Sequence, residues 1–139
     1  MDIEFFSQNW ILFLALAMIC TLIIMEPMRQ KALGVKMVNA LRVPQIMNHD
    51  SAKVVDVSKA ADFAAGHIPD AINLPMDQIS EASEKLAKFK DKPIILTCRT
   101  GSRANAAAAK LAKQGFSDLY VLSGGFAAWQ KEKLPVKKA

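Results

Sequence analysis

The sequence predicts an α/β domain built on a mostly parallel sheet, and three observations carry that expectation. Short, apolar, β-branched runs recur at residues 54–57, 71–74, 94–97 and 119–122. Stretches of helical character separate them, at 59–65, 78–89 and 103–114, with another at 125–132. Glycine or proline closes several of these segments, as at Gly66, Pro75 and Gly115. Strands that alternate with helices in this way form a parallel sheet covered on both faces. In such folds ligands bind beyond the carboxyl ends of the strands.

The first element lies ahead of this alternation. Residues 10–25 form an uncharged apolar run of 16 residues, about 24 Å long as a helix. A hydrocarbon core of about 30 Å calls for about 20 residues, with about 17 as the lower limit. Phe5 and Phe6 extend the apolar end, Gln8 and Asn9 suit headgroups, and Trp10 suits an interface. We read residues 1–26 as an N-terminal transmembrane anchor making one short pass, in contact with membrane lipid through residues 10–25. A signal peptide is disfavoured by the acidic Asp2 and Glu4 and by the lack of a small-residue cleavage pattern. Lipoprotein processing at Cys20 is disfavoured by Ile19, and a buried core helix by the lack of any polar face. Every Lys and Arg follows residue 28, so the C-terminal side is expected in the cytoplasm. The expected localisation is therefore a bacterial inner membrane, single-pass, with the domain cytoplasmic. Glu26-Pro27 is expected to end the span. Residues 27–36 read as a basic juxtamembrane linker, a tether rather than a lipid-bound amphipathic helix, and residues 37–139 as the domain.

Within the domain, residues 54–57 (Val-Val-Asp-Val) form the first expected strand. Ser58 is the expected cap of the helix over 59–65, with Gly66 as its stop. Residues 71–74 form a strand closed by Pro75. Residues 78–89 read as one or two helices with Ile79, Ala82, Leu86 and Phe89 on one side. Residues 94–97 form the strand ahead of the most informative loop. The helix over 103–114 turns Ala104, Ala107, Ala108 and Leu111 inward and stops at Gly115. Residues 119–122 are the last expected strand, and 125–132 the last helix, with Trp129 as a core residue. The Lys-rich end, 131–138, reads as a solvated tail.

Composition narrows the function. The net charge is +5, but no basic run is interleaved with aromatics, so a nucleic-acid partner is not expected. The two cysteines, Cys20 and Cys98, have no reason to meet, which argues against a disulfide. One loop cysteine with His49 and His67 makes no ligand set, so no metal is expected.

The loop Cys98-Arg99-Thr100-Gly101-Ser102-Arg103 stands between a buried strand and the mouth of a helix. Helix mouths carry unpaired N–H groups and partial positive charge. Gly101 lets successive amides turn inward as an anion nest. Thr100 and Ser102 add hydroxyl donors, and Arg99 and Arg103 add positive charge. Arg103 sits at the helix end where a cation is unfavourable unless an anion is near. This setting favours a thiolate, and a nucleophilic cysteine, over an inert buried thiol. No histidine is positioned to make a Cys–His dyad, so activation must come from the loop itself.

Three segments carry a family resemblance. Residues 54–75, with Asp56 and the run Gly66-His67-Ile68-Pro69, resemble the N-terminal signature of rhodanese-like domains. The Cys98–Arg103 loop is similar to their active-site loop, and residues 122–129 (Leu-Ser-Gly-Gly-Phe-Ala-Ala-Trp) to their closing segment. Together they span nearly all of residues 41–135. The resemblance implies a sheet of about five parallel strands with helices on both faces, and a sulfurtransferase that carries sulfane sulfur as a persulfide on catalytic Cys98. It implies a small anionic sulfur donor (thiosulfate) or a persulfide donor, a thiol acceptor and no cofactor, with Arg99, Thr100, Gly101, Ser102 and Arg103 as the substrate-binding loop. Asp56 and His67 are implied to be structural supports. Four residues separate Cys98 from Arg103, whereas related phosphatases and arsenate reductases use a loop one residue longer; the shorter loop favours a persulfide over a tetrahedral oxyanion. Two departures stand out. Ser58 replaces the Arg usual in the family, which either removes an ion pair or leaves Asp56 to another cation. Asp70 replaces a frequent Gly. The alternative reading is a membrane-tethered protein-binding or regulatory module, its protein partners unspecified.

Overall fold

The computed structural model describes residues 2–32 and 34–138. Five parallel strands form one sheet: β1 (Val35–Val38), β2 (Lys53–Asp56), β3 (Ile72–Asn73), β4 (Ile94–Thr97) and β5 (Leu119–Leu122), in the order β1-β5-β4-β2-β3. The register sets Val55 beside Leu96 and Asp56 beside Thr97, then Leu96 beside Val121. The carboxyl ends of β2 and β4 therefore lie side by side, where such sheets hold ligands.

Successive strand residues point to opposite faces, and the core divides accordingly. Val55, Leu96 and Val121 pack on one side with Ala104, Ala107, Ala108 and Leu111 of helix α6 (Ser102–Lys113). Val54, Ile95 and Leu122 pack on the other with Val43 and Ile46 of α3 (Val43–His49), and with Phe126 and Trp129 of α7 (Gly125–Lys131). The small alanines of α6 let its backbone approach the sheet closely, and all four inward positions are fully buried.

Several elements differ from the sequence reading. Strand β1 starts at Val35, within the stretch read as a linker, and helix α3 follows it with Pro44 in its first turn. A proline there costs the helix little, because the N–H it lacks would be unpaired anyway. Residues 78–89 form a 3₁₀ segment (Met76–Glu81), the short helix α5 (Ala82–Lys85) and a 3₁₀ turn (Ala87–Phe89), with Ile79, Ala82 and Leu86 buried as expected. Ser58 does not cap α4 (Ala60–Ala65), whose N-cap is Lys59 with no side-chain bond. The Lys-rich end has exposed lysines, but its backbone is tied down. His67 and Lys137 exchange two backbone bonds of 2.9 Å, and the Trp129 indole donates to Pro135 O at 2.7 Å.

The N-terminal segment corrects the membrane reading. It forms α1 (Ile3–Gln8) and α2 (Trp10–Ala32), and the apolar side chains of α2 from Trp10 to Met25 are exposed. Among the described residues no helix is long and apolar enough to cross a membrane. Length is the reason. The charge-free part of α2 ends at Met25, so it spans about 24 Å against about 30 Å of hydrocarbon. The helix does not stop at Glu26-Pro27 but runs on through a stretch whose sequence includes Glu26, Arg29 and Lys31. The expected single-pass inner-membrane localisation with a cytoplasmic domain is thus contradicted. The transmembrane anchor and the lipid contact through residues 10–25 lose their support with it.

Candidate active site

Cys98 follows β4 directly and is 2% exposed. The Gly101 N–H donates to Cys98 Sγ at 2.9 Å. The chain can double back over three residues because Gly101 takes φ +97°, a left-handed conformation that favours glycine. Gly101 is also the N-cap of α6, so the sulfur lies by the opening turn of a 12-residue helix.

A further glycine, Gly125, shapes the loop from behind. Phe126 N–H donates to Cys98 O at 2.7 Å and Ala127 N–H to Arg99 O at 3.1 Å. These carbonyls are held by the first turn of α7, and the N–H groups of the same trans peptides point the opposite way. Contact this close leaves no room for a side chain at Gly125. A Cβ there would collide with Cys98 O and would lie 2.7 Å from Gly101 N, and its φ is +63°. Gly125 therefore has a packing origin: it lets α7 support the loop, whereas a Cβ at Gly124 would lie 2.8 Å from Ala128 Cβ within α7.

Asp56 is fully buried at the carboxyl end of β2. One carboxylate oxygen accepts the Ser58 N–H at 2.9 Å, and the other faces Arg99 Nη2 at 3.3 Å. Arg99 Nε donates to Ser58 Oγ at 3.3 Å, and the guanidinium lies 4.5 Å from the centre of the Phe126 ring. Asn73 fixes the same turn from β3, donating to Asp56 O at 3.1 Å and Ser58 O at 2.9 Å. Of the two outcomes left open for Ser58, the structure takes the second: Asp56 pairs with another cation, and that cation is Arg99. Ser58 leaves the space and supplies the acceptor.

A cavity of about 300 Å³ opens at Cys98, lined by the loop residues other than Gly101 together with Ser58 and Asp62. Arg103 is exposed in the first turn of α6, Thr100 and Ser102 are exposed, and their hydroxyls lie 3.4 Å apart. Asp62, in the first turn of α4, was not singled out from sequence; its position four residues after Ser58 was the available signal. His67 does not line this cavity. Its ring stacks on Phe63 at 3.7 Å between centres, and Nδ1 lies 2.7 Å from Phe63 O, to which it donates. Among the described residues no group of His, Cys, Asp and Glu could hold a metal ion. Cys20 and Cys98 are both free thiols.

The arrangement presents a thiol at the floor of an open pocket, an amide hydrogen on its sulfur, and cationic and hydroxyl groups at the rim. It suits attack on an electrophilic sulfur and retention of the anionic product. Comparison with known proteins agrees with the fold. The family model for the rhodanese-like domain matches residues 40–132. The chain is 31% identical over 134 residues to the uncharacterized protein YibN of Escherichia coli (strain K12), covering 96% of this chain and 94% of YibN. It is 38% identical over 86 residues to the thiosulfate sulfurtransferase GlpE of Pseudomonas savastanoi, covering 62% of this chain and 79% of GlpE. Among solved structures, the BH2092 protein of Bacillus halodurans superposes with a TM-score of 0.65 at 31% identity, covering 81% of this chain and 82% of that one.

Proposed function

The chain belongs to the rhodanese-like domain family, and from that membership we propose that it is a sulfurtransferase working through Cys98. The Cys98 thiolate attacks the outer sulfur of thiosulfate or of a persulfide. A sulfur–sulfur bond forms at Cys98 as the donor's own breaks, and sulfite or a thiolate leaves with the bonding electrons. A thiol acceptor then removes the outer sulfur and restores Cys98. The observation that carries the reading is the 2.9 Å contact from Gly101 N–H to Cys98 Sγ at the floor of an open cavity. A purely structural buried cysteine needs neither the amide nor the opening. The similarity to GlpE, named as a thiosulfate sulfurtransferase, supports the same chemistry.

Intact-protein mass spectrometry tests it. After treatment with thiosulfate or a persulfide, Cys98 is expected to gain one sulfur, which cyanide removes. Cys98→Ser is expected to abolish both the gain and the turnover. Undiminished turnover in Cys98→Ser would exclude the mechanism and leave a protein-binding or regulatory module as the reading.

A further inference from the structure

If Cys98 carries the sulfur, the two arginines of its loop do different work. The charge of Arg99 is balanced by Asp56, a carboxylate with no exposure, and its guanidinium is held by Ser58 and Phe126. Arg103 is exposed and, among the described residues, makes no ion pair. Asp62 is likewise exposed and without an ion pair. Both line the Cys98 cavity, yet no contact within 4.0 Å joins them. The mouth of the pocket therefore offers one free cation and one free anion, separated, and no net charge from the Arg99–Asp56 pair. A small dianion of the thiosulfate kind gains Arg103 but meets Asp62. A cavity of about 150 Å³ already holds a molecule the size of benzene, so one of about 300 Å³ has room for more than such an anion.

We propose that this pocket is built for a zwitterionic persulfide, one carried on an amino-acid or peptide thiol that bears both a carboxylate and an ammonium group. Arg103 takes the carboxylate and Asp62 the ammonium. Arg99 is a positioning residue that holds the loop without presenting net charge to the donor. For a donor R–S–SH, the Cys98 thiolate bonds to the outer sulfur and the S–S bond of the donor breaks. R–S⁻ departs with the electron pair, and the proton stays on the outer sulfur of Cys98–S–SH, so no external oxidant or reductant enters. The assignment rests on the sulfurtransferase reading.

The test compares kcat/KM for sulfur transfer to cyanide from cysteine persulfide and from thiosulfate, in the full chain. Asp62→Asn is expected to lower the value for cysteine persulfide about threefold and to raise that for thiosulfate by about the same factor, the scale of exposed charge pairs. Both effects are expected to shrink toward unity as added salt shortens the screening length. Arg103→Gln is expected to lower both values. Arg99→Lys is expected to lower kcat for both donors, with KM and the donor ratio unchanged. An Asp62→Asn chain that moves the two donors together or not at all, or an Arg99→Lys chain that alters their ratio, overturns the proposal. Sulfur uptake by Cys98 is read in parallel by mass. Absence of uptake from either donor in the unaltered chain refutes the sulfurtransferase reading itself, whereas uptake with an unmoved preference refutes only the donor class.

Discussion

A single hydrogen atom at Cα decides whether the Cys98 loop can form. Gly125 adopts φ +63° and has the loop backbone pressed against it. Alanine there must meet both a left-handed conformation and a collision with Cys98 O. Gly125→Ala is expected to destabilise the domain by about 2 kcal/mol or more, seen as a lower urea midpoint, and to slow sulfur uptake at Cys98. The Gly101-to-sulfur contact was legible in outline, because a Cys-x-x-Gly turn ahead of a helix implies amides facing the sulfur. The partner of Arg99 was not. Asp56 lies 43 residues away in sequence, and no local pattern says which cation fills the space that Ser58 leaves.

At the scale of elements, α6 does two things at once. Its N-terminal turn bounds the site, and its alanine face anchors it to the sheet. Leu111 is the largest inward side chain of that helix and is fully buried. Leu111→Ala is expected to cost about 3 kcal/mol through lost burial and the cavity left behind, measured by chemical denaturation, with the Cys98 loop chemically intact while the protein is folded. The inward alanines were legible from the 3.6-residue period. Strand β1 was not: its pattern buries Val35 and Val38 but exposes Lys36 and Met37, so neither strict alternation nor a continuous apolar run marks it. As an edge strand with four residues, it gains its identity from pairing with β5.

Across the whole molecule, residues 135–137 fold back onto the turn that follows α4 and onto helix α7. Lys137 pairs with His67, and Pro135 accepts from the buried Trp129. Removing residues 135–139 is expected to cost about 2 kcal/mol, from three hydrogen bonds of roughly 0.5–1.5 kcal/mol each. Faster hydrogen exchange at His67 N–H would accompany the loss, and unchanged exchange there would count against the strap. Composition alone pointed to a solvated tail, because lysine side chains stay in water while their backbone is free to pair.

Local period and local chain geometry were enough to show the α/β alternation from β2 onward, the inward faces of the helices, and the placing of a cysteine between a buried strand and a helix mouth. Tertiary structure alone decided that Arg99 pairs with Asp56, that Asp62 and Arg103 share one cavity, and that α7 closes on the loop at Gly125. Those relations join segments distant in the chain, and they are fixed by which strands lie adjacent in the sheet and by the volume and charge left where their ends converge.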